Sequence, residues 1–250
     1  MVNVLLFSPT GNSKRAALTV ASVLGEKVNV VDLTKTHLVD ETFDPKEPMV
    51  IAGPVFGGRL PELMVERLKR FSLKGVKVVT LVTYSNRAVE DALLELNNTV
   101  VELGGIPVAS ATVVARHSMV PAVAQNRPSD VDLTNLKAFA RMAKQKLFQT
   151  ECVAVKVPGD YPYRSWTKSP LTPIIDGNCV KCGQCVRLCP VGAIDANDPS
   201  KVDAQKCILC MRCVFVCSQQ SRVLPEQIRG MIGQKLAPIA AIHRDNEFFL

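Results

Sequence analysis

Along the first 150 residues, short apolar runs alternate with stretches in which apolar positions recur at helical spacing. Val2–Phe7 is an apolar run broken only by Asn3, the pattern of a strand covered on both faces. After the polar turn Ser8-Pro9-Thr10-Gly11-Asn12-Ser13, residues Ala16, Ala17, Val20, Val23 and Leu24 follow a helical period. Val28–Asp32, Pro48–Gly53, Val76–Tyr84 and Ile106–Val114 read as four further strands. Helices are expected over Glu62–Phe71, from about Ala88 to Leu103, where Gly104-Gly105 stops the chain, and over Asp130–Phe148, capped by Ser129 or Asp130. Five strands separated by helices define an α/β architecture with a doubly wound parallel sheet, whose common order with an anion site at the first loop is 2-1-3-4-5. Ligands of such sheets sit at the carboxyl ends of the strands.

The pattern changes at residue 150. Pro158, Gly159, Pro162, Pro170 and Pro173 interrupt Tyr161, Tyr163 and Trp166, so 151–173 reads as a linker whose aromatic residues dock it on its neighbours. Residues 174–225 hold eight of the nine cysteines, and 226–250 are expected to form a helix, with apolar Ile228, Met231, Ile232, Leu236 and Ile239, and a tail. Cys152, the ninth, reads as a buried free thiol.

The cysteines form two matching quartets, Cys179, Cys182, Cys185, Cys189 and Cys207, Cys210, Cys213, Cys217, offset by 28 residues. Val180/Ile208, Val186/Val214 and Leu188/Val216 repeat at the same offset, which marks an internal duplication. Three cysteines at steps of three let a short loop curl around an iron–sulfur cube and reach three of its irons. In two-cluster ferredoxins the fourth ligand comes from the other run. One [4Fe–4S] cluster is therefore expected on Cys179, Cys182, Cys185 and Cys217, and a second on Cys207, Cys210, Cys213 and Cys189. A zinc site also uses paired C-x-x-C, but it needs neither the third cysteine nor a second compensating run. With Cys189-Pro190-Val191-Gly192-Ala193-Ile194 included, the segment resembles a bacterial-type ferredoxin, a small α+β domain. Ser218 departs from that pattern, standing where the family usually has proline.

Composition adjusts this picture. The apolar fraction of 47% is enough for a substantial core, and no apolar run approaches the about 20 residues a membrane span needs. Met1-Val2-Asn3 opens directly into an apolar segment with no basic region, so no signal peptide is expected and a cytoplasmic location is. The net charge of +7 invites a nucleic-acid reading. Two oxidised clusters with their thiolates, each about −2, bring it to about +3; the basic excess reads as compensation for cofactors, with no nucleic acid expected.

The loop Ser8 to Ser13 joins a strand to a helix N-terminus and offers hydroxyls as well as backbone N–H groups, which suits a terminal phosphate. It lacks both the Gly-Lys-Ser/Thr ending of a nucleotide loop and a dinucleotide fingerprint, so FMN is the expected ligand. Ser8, Thr10, Gly11, Asn12 and Ser13 are similar to the phosphate loop of flavodoxins. Gly53-Pro54-Val55-Phe56-Gly57-Gly58-Arg59-Leu60-Pro61, Tyr84-Ser85-Asn86-Arg87 and His117-Ser118 resemble the loops of bacterial flavodoxin–ferredoxin fusion proteins, a likeness covering nearly the whole chain. It implies a flavodoxin-like domain over 1–150. FMN would be held by the phosphate loop and by Pro54, Val55, Phe56, Gly57, Gly58, Tyr84, Ser85, Asn86 and Arg87. Phe56 and Ser85 depart from the tyrosine and glycine usual there. Gly57-Gly58 reads either as a plain turn or as a turn whose peptide flips to offer a carbonyl to the flavin N5–H. The resemblance further implies low-potential electron transfer between the clusters and FMN, delivering to a redox protein partner in anaerobic metabolism. The alternative is an iron–sulfur flavin reductase acting on a small oxidised substrate, with Tyr84, Arg87 or His117 as its acid–base groups.

Overall fold

The structure, a computed structural model, describes residues 1–38 and 41–250. The opening apolar run forms β1 (Val2–Leu6), buried at all five positions. Around it stand β2 (Val28–Asp32), β3 (Met49–Pro54), β4 (Lys77–Tyr84) and β5 (Ile106–Val114), linked by α1 (Asn12–Leu24), α2 (Glu62–Leu68), α3 (Ala92–Glu102) and α4 (Asp130–Leu147). The five strands are parallel, in the order β2-β1-β3-β4-β5. This is the flavodoxin-like arrangement that the alternation predicts.

Both faces of the sheet are covered, which is why its inner strands are apolar without alternation. On one face Ala16 and Val20 of α1, with Leu136 and Phe139 of α4, pack on Val4, Leu6, Val79 and Leu81. On the other, Met64 and Leu68 of α2, with Leu93 and Leu96 of α3, pack on Leu5, Ile51, Val78 and Val82. The expected cap of α4 is present as a capping box. Ser129 Oγ accepts from Asp132 N–H, and the Asp132 carboxylate accepts from Ser129 N–H. Burial opposes the Asp132 charge, but hydrogen bonds from Arg127 and Ser129 outweigh it and hold that carboxyl below its ordinary value.

The elements differ from the sequence reading in several places, and α2 already ends at Leu68. Helix α3 starts at Ala92, because residues before it form a turn with Asn86 (φ 62°) and Glu90 (φ 49°) in the left-handed region. The Asp91 carboxylate does not cap α3; it accepts from the backbone N–H groups of Asp160 and Arg164 and so docks the linker. A further difference is at the C-terminus and follows the cysteine segment.

In that segment lie β6 (Ile174–Ile175), α5 (Gln184–Arg187), α6 (Arg212–Phe215) and β7 (Arg222–Val223), with β6 and β7 antiparallel. The 28-residue duplication is written into the backbone. Left-handed residues recur in register at Lys181/Leu209, Gly183/Met211 and Gly192/Gln220. The expected C-terminal helix is α7 (Glu226–Ala240). Beyond it the tail becomes a strand, β8 (Glu247–Phe249), antiparallel to β5 with Ser110 opposite Phe249 and Thr112 opposite Glu247. The sheet thus has six strands, and Phe248 stacks on Phe139 with ring centroids 5.0 Å apart. No described helix is long and apolar enough to cross a membrane.

Candidate functional site

The carboxyl ends of β1, β3, β4 and β5 open into a cleft of about 1180 Å³, its mouth included. The first loop enters it. Gly11 adopts φ 87° at the start of α1, a conformation that favours glycine, and no side chain caps that helix. With glycine at the N-cap, the N–H groups of Asn12 and Ser13 are left toward an anion. Ser8 and Ser13 also hold the loop itself together: Ser8 Oγ accepts from Lys14 N–H at 2.9 Å, and Ser13 Oγ lies 2.7 Å from Thr83 Oγ1.

Ser8, Thr10, Asn12, Ser13, Pro54, Val55, Phe56, Gly57, Gly58, Tyr84, Ser85 and Arg87 all line the cleft. Two expected residues stand behind it. Gly11 shapes the turn, and the Asn86 amide donates to the carbonyls of Ile239 and Ile242, both at 2.7 Å, tying α7 to the site. Gly57 (φ 59°) has no room for a side chain, since a Cβ there would lie 2.7 Å from Trp166 Cδ1. Tyr84 is buried at the end of β4, and burial raises its phenol above the ordinary value.

His117 is fixed in one protonation state. Its Nδ1 accepts from the N–H groups of Met119 (3.2 Å) and Val120 (3.0 Å), and burial lowers its pKa to about 4. The ring is therefore neutral at pH 7 with its proton on Nε2, and it lines the cleft as a donor. Arg87 is paired with Glu90, which also pairs with Arg164 of the linker.

Several lining residues are ones the sequence reading missed. Trp166, Thr167, Lys168 and Ser169 come from the linker, Ile208, Leu209 and Cys210 from the cysteine segment, and Leu236 from α7. Within the linker, Tyr163 docks as expected: Asn98 donates to its hydroxyl at 2.8 Å and the Arg59 guanidinium lies 4.8 Å from its ring centre. Trp166, three residues on, does something different and walls the cleft. The aromatic residues announced contact, but nothing local told the two targets apart.

The eight cysteines line two further cavities. Cys179, Cys182, Cys185 and Cys217 share one, and Cys189, Cys207, Cys210 and Cys213 share the other. Among the described residues no three His, Cys, Asp or Glu groups converge as a single bound ion requires. Sulfurs spread around a cavity instead suit a cube of four irons. Burial pushes the Cys210 and Cys213 thiols up to about 12, so they would ionise only against a cation, as a bound iron would be. Two buried side-chain N–H groups lack a partner among the described residues, Arg212 Nε and Arg222 Nε, and each belongs to a residue lining one of these cavities. A cluster of net negative charge is the acceptor such donors need. The donor set and its surroundings fit the group. Helix α6 also rests on the first loop, with Arg212 Nη1 donating to the Pro9 carbonyl at 3.1 Å.

Residues 172–195 match the family model described as "4Fe-4S binding domain". No curated protein matches the chain. Among solved structures, oxidised flavodoxin 1 from Bacillus cereus is 17% identical over 56% of this chain and 94% of its own, with a TM-score of 0.40. Oxidised flavodoxin 2 from the same organism is 18% identical over 59% and 99%, with 0.43. Rubredoxin oxygen:oxidoreductase from Desulfovibrio gigas is 12% identical over 58% and 35%, with 0.43. At that level these overlaps are likenesses, and the fold assignment rests on the strand order of the sheet itself. Strand order and family match together describe a flavodoxin-like sheet followed by a segment similar to 4Fe-4S binding domains.

Proposed function

We propose that the protein is a cytoplasmic electron carrier of anaerobic metabolism, moving electrons between two [4Fe–4S] clusters and FMN and on to a redox protein partner. Residues 1–150 would be the FMN domain, 151–173 the linker, 174–225 the two-cluster domain, and 226–250 the segment that returns to the sheet. The loop Ser8 to Ser13 would hold the phosphate, and Phe56, Gly57, Tyr84 and Trp166 the flavin ring. Bound FMN supplies a centre able to exchange one or two electrons, and each cluster one. The chain's part is to exclude water, hold His117 as a neutral donor, and keep the centres adjacent.

One observation carries this reading. Cys210 lines both the flavin cleft and the cavity of Cys189, Cys207 and Cys213. That supports a cluster held directly against the flavin. The other site, with Cys182 exposed, faces solvent and is suited to exchange with a partner. The reductase alternative uses the same cleft. Arg87 is engaged by Glu90 and His117 is already neutral with a fixed proton, which leaves Tyr84 as its acid, and that phenol is raised by burial.

Anaerobic purification with flavin release and iron and sulfide analysis tests the assignment. FMN and about eight irons are expected; FAD, or no flavin, refutes the N-terminal reading. Cys217→Ala should damage the cluster of Cys179, Cys182 and Cys185, as seen by electron paramagnetic resonance of the reduced protein. Loss of only the other signal sinks the crossed ligand sets. Saturable turnover of one small acceptor, abolished by changing Tyr84, Arg87 or His117, would replace the carrier with the reductase.

A further inference from the structure

The duplication in the cysteine segment repeats apolar positions and backbone conformations, but two adjacent buried positions change character: Ala193 is matched by Ser221, and Ile194 by an arginine. Ile194 packs beside Cys189 and Ala193 in the first half. Its counterpart 28 residues later is Arg222, only 2% exposed. The Arg222 guanidinium donates to Cys185 Sγ at 3.6 Å, to the Pro173 carbonyl at 3.3 Å and to the Pro199 carbonyl. Its partners are two carbonyls and a cysteine sulfur, none of them a carboxylate, and its Nε is buried without a partner. A buried cation without a countercharge is costly. The side chain lines the cavity of Cys179, Cys182, Cys185 and Cys217, where a cluster with its four thiolates would bring about −2.

We propose that Arg222 is a positioning residue for the solvent-facing cluster, raising its reduction potential above what the same four cysteines would give alone. This rests on the two-cluster reading. Reduction adds one electron to a site already negative, and a buried cation with an N–H on a ligand sulfur stabilises that added charge. Arg222 also acts through space on Cys207 and Cys213, but it lines only the first cavity and donates to Cys185. Its influence is therefore larger on the outer cluster, while Arg212 stands at the inner one. Two cluster sites built from one duplicated sequence thereby become unequal, and the first electron to arrive settles differently than in a symmetric pair.

The test uses Arg222→Ile, which restores the residue of the first half, and Arg222→Lys in the full chain. Iron and sulfide are counted first, and each potential is then followed by paramagnetic resonance, with signals assigned through Cys217→Ala. In Arg222→Ile the reduced-to-oxidised ratio of the outer cluster at the wild-type midpoint should fall roughly tenfold, and that of the inner cluster less. Arg222→Lys should produce a smaller fall. Full clusters with unmoved potentials, or potentials moved equally, overturn the proposal. Should Arg222→Ile not hold its outer cluster, Arg222→Gln, which keeps an N–H without the charge, must lower that potential more than Arg222→Lys; equal values overturn the proposal. Wild-type protein without iron and sulfide would instead overturn the cluster reading itself.

Discussion

At Gly192 and Gln220 the duplicated halves ask the same conformation of different residues, with φ 59° and 54°. A Cβ added at Gly192 meets nothing within 4 Å, so packing does not enter the comparison. Gly192→Gln should cost about 1 kcal/mol of strain, and Gln220→Gly should regain up to that amount. Denaturant midpoints of both variants check this; a destabilised Gln220→Gly would show that its side chain, not its backbone, sets the balance. His117 gives the second prediction at this scale. Burial holds it at about 4 against an ordinary 6.5. Between those values the unfolded chain takes up a proton that the folded one refuses. Stability from this group is therefore full above pH 6.5 and declines as pH falls toward 4. Urea midpoints should drop between pH 7 and 5, and His117→Asn, which keeps an acceptor for the Met119 and Val120 N–H groups, should remove that part of the slope. An unchanged slope would show that other groups cause it.

Among elements, β8 depends most on a single contact. Three residues cannot hold a strand by propensity, and the stack of Phe248 on Phe139 fixes it to the face covered by α4. Phe248→Ala should cost about 2 kcal/mol and expose the β5 edge, whereas Phe248→Leu should cost less. Equal losses would mean that the ladder, not the ring, holds the strand. The same element shows where sequence reading ends. β1 and β3 to β5 are legible because each is a buried run with turn residues beside it, β2 because Val28, Val30 and Val31 give it strand composition although only Val31 is buried, and α4 because Ser129 precedes its helical period. Glu247-Phe248-Phe249 is too short to show any period, and its partner lies over a hundred residues earlier. Likewise the turn before α3 was hidden, because Asp91 spends its carboxylate on the linker.

For the whole molecule, the cysteine sets expected from the repeat are the ones that share each cavity, and the first loop's hydroxyls and glycine form one local motif at the cleft. The walls of the cleft were not legible in the sequence. Trp166, Cys210 and Leu236 reach it from three distant segments, and only packing brings them together. That assembly has a kinematic consequence. The chain leaves the sheet after α4, forms the whole cysteine segment, and rejoins the sheet at β8, with Arg244 donating to the Asn86 carbonyl and Asn246 accepting from Val114 N–H on the way. A module attached at one end swings like a flag, whereas one fastened at both ends behaves like a bridge deck with fixed abutments. Deleting residues 243–250 should turn the bridge into a flag. Electron exchange between flavin and clusters, followed by rapid mixing, would then slow and become sensitive to solvent viscosity, while each centre kept its own spectrum. An exchange rate indifferent to viscosity after the deletion would mean that α7 and α6 alone hold the span in place.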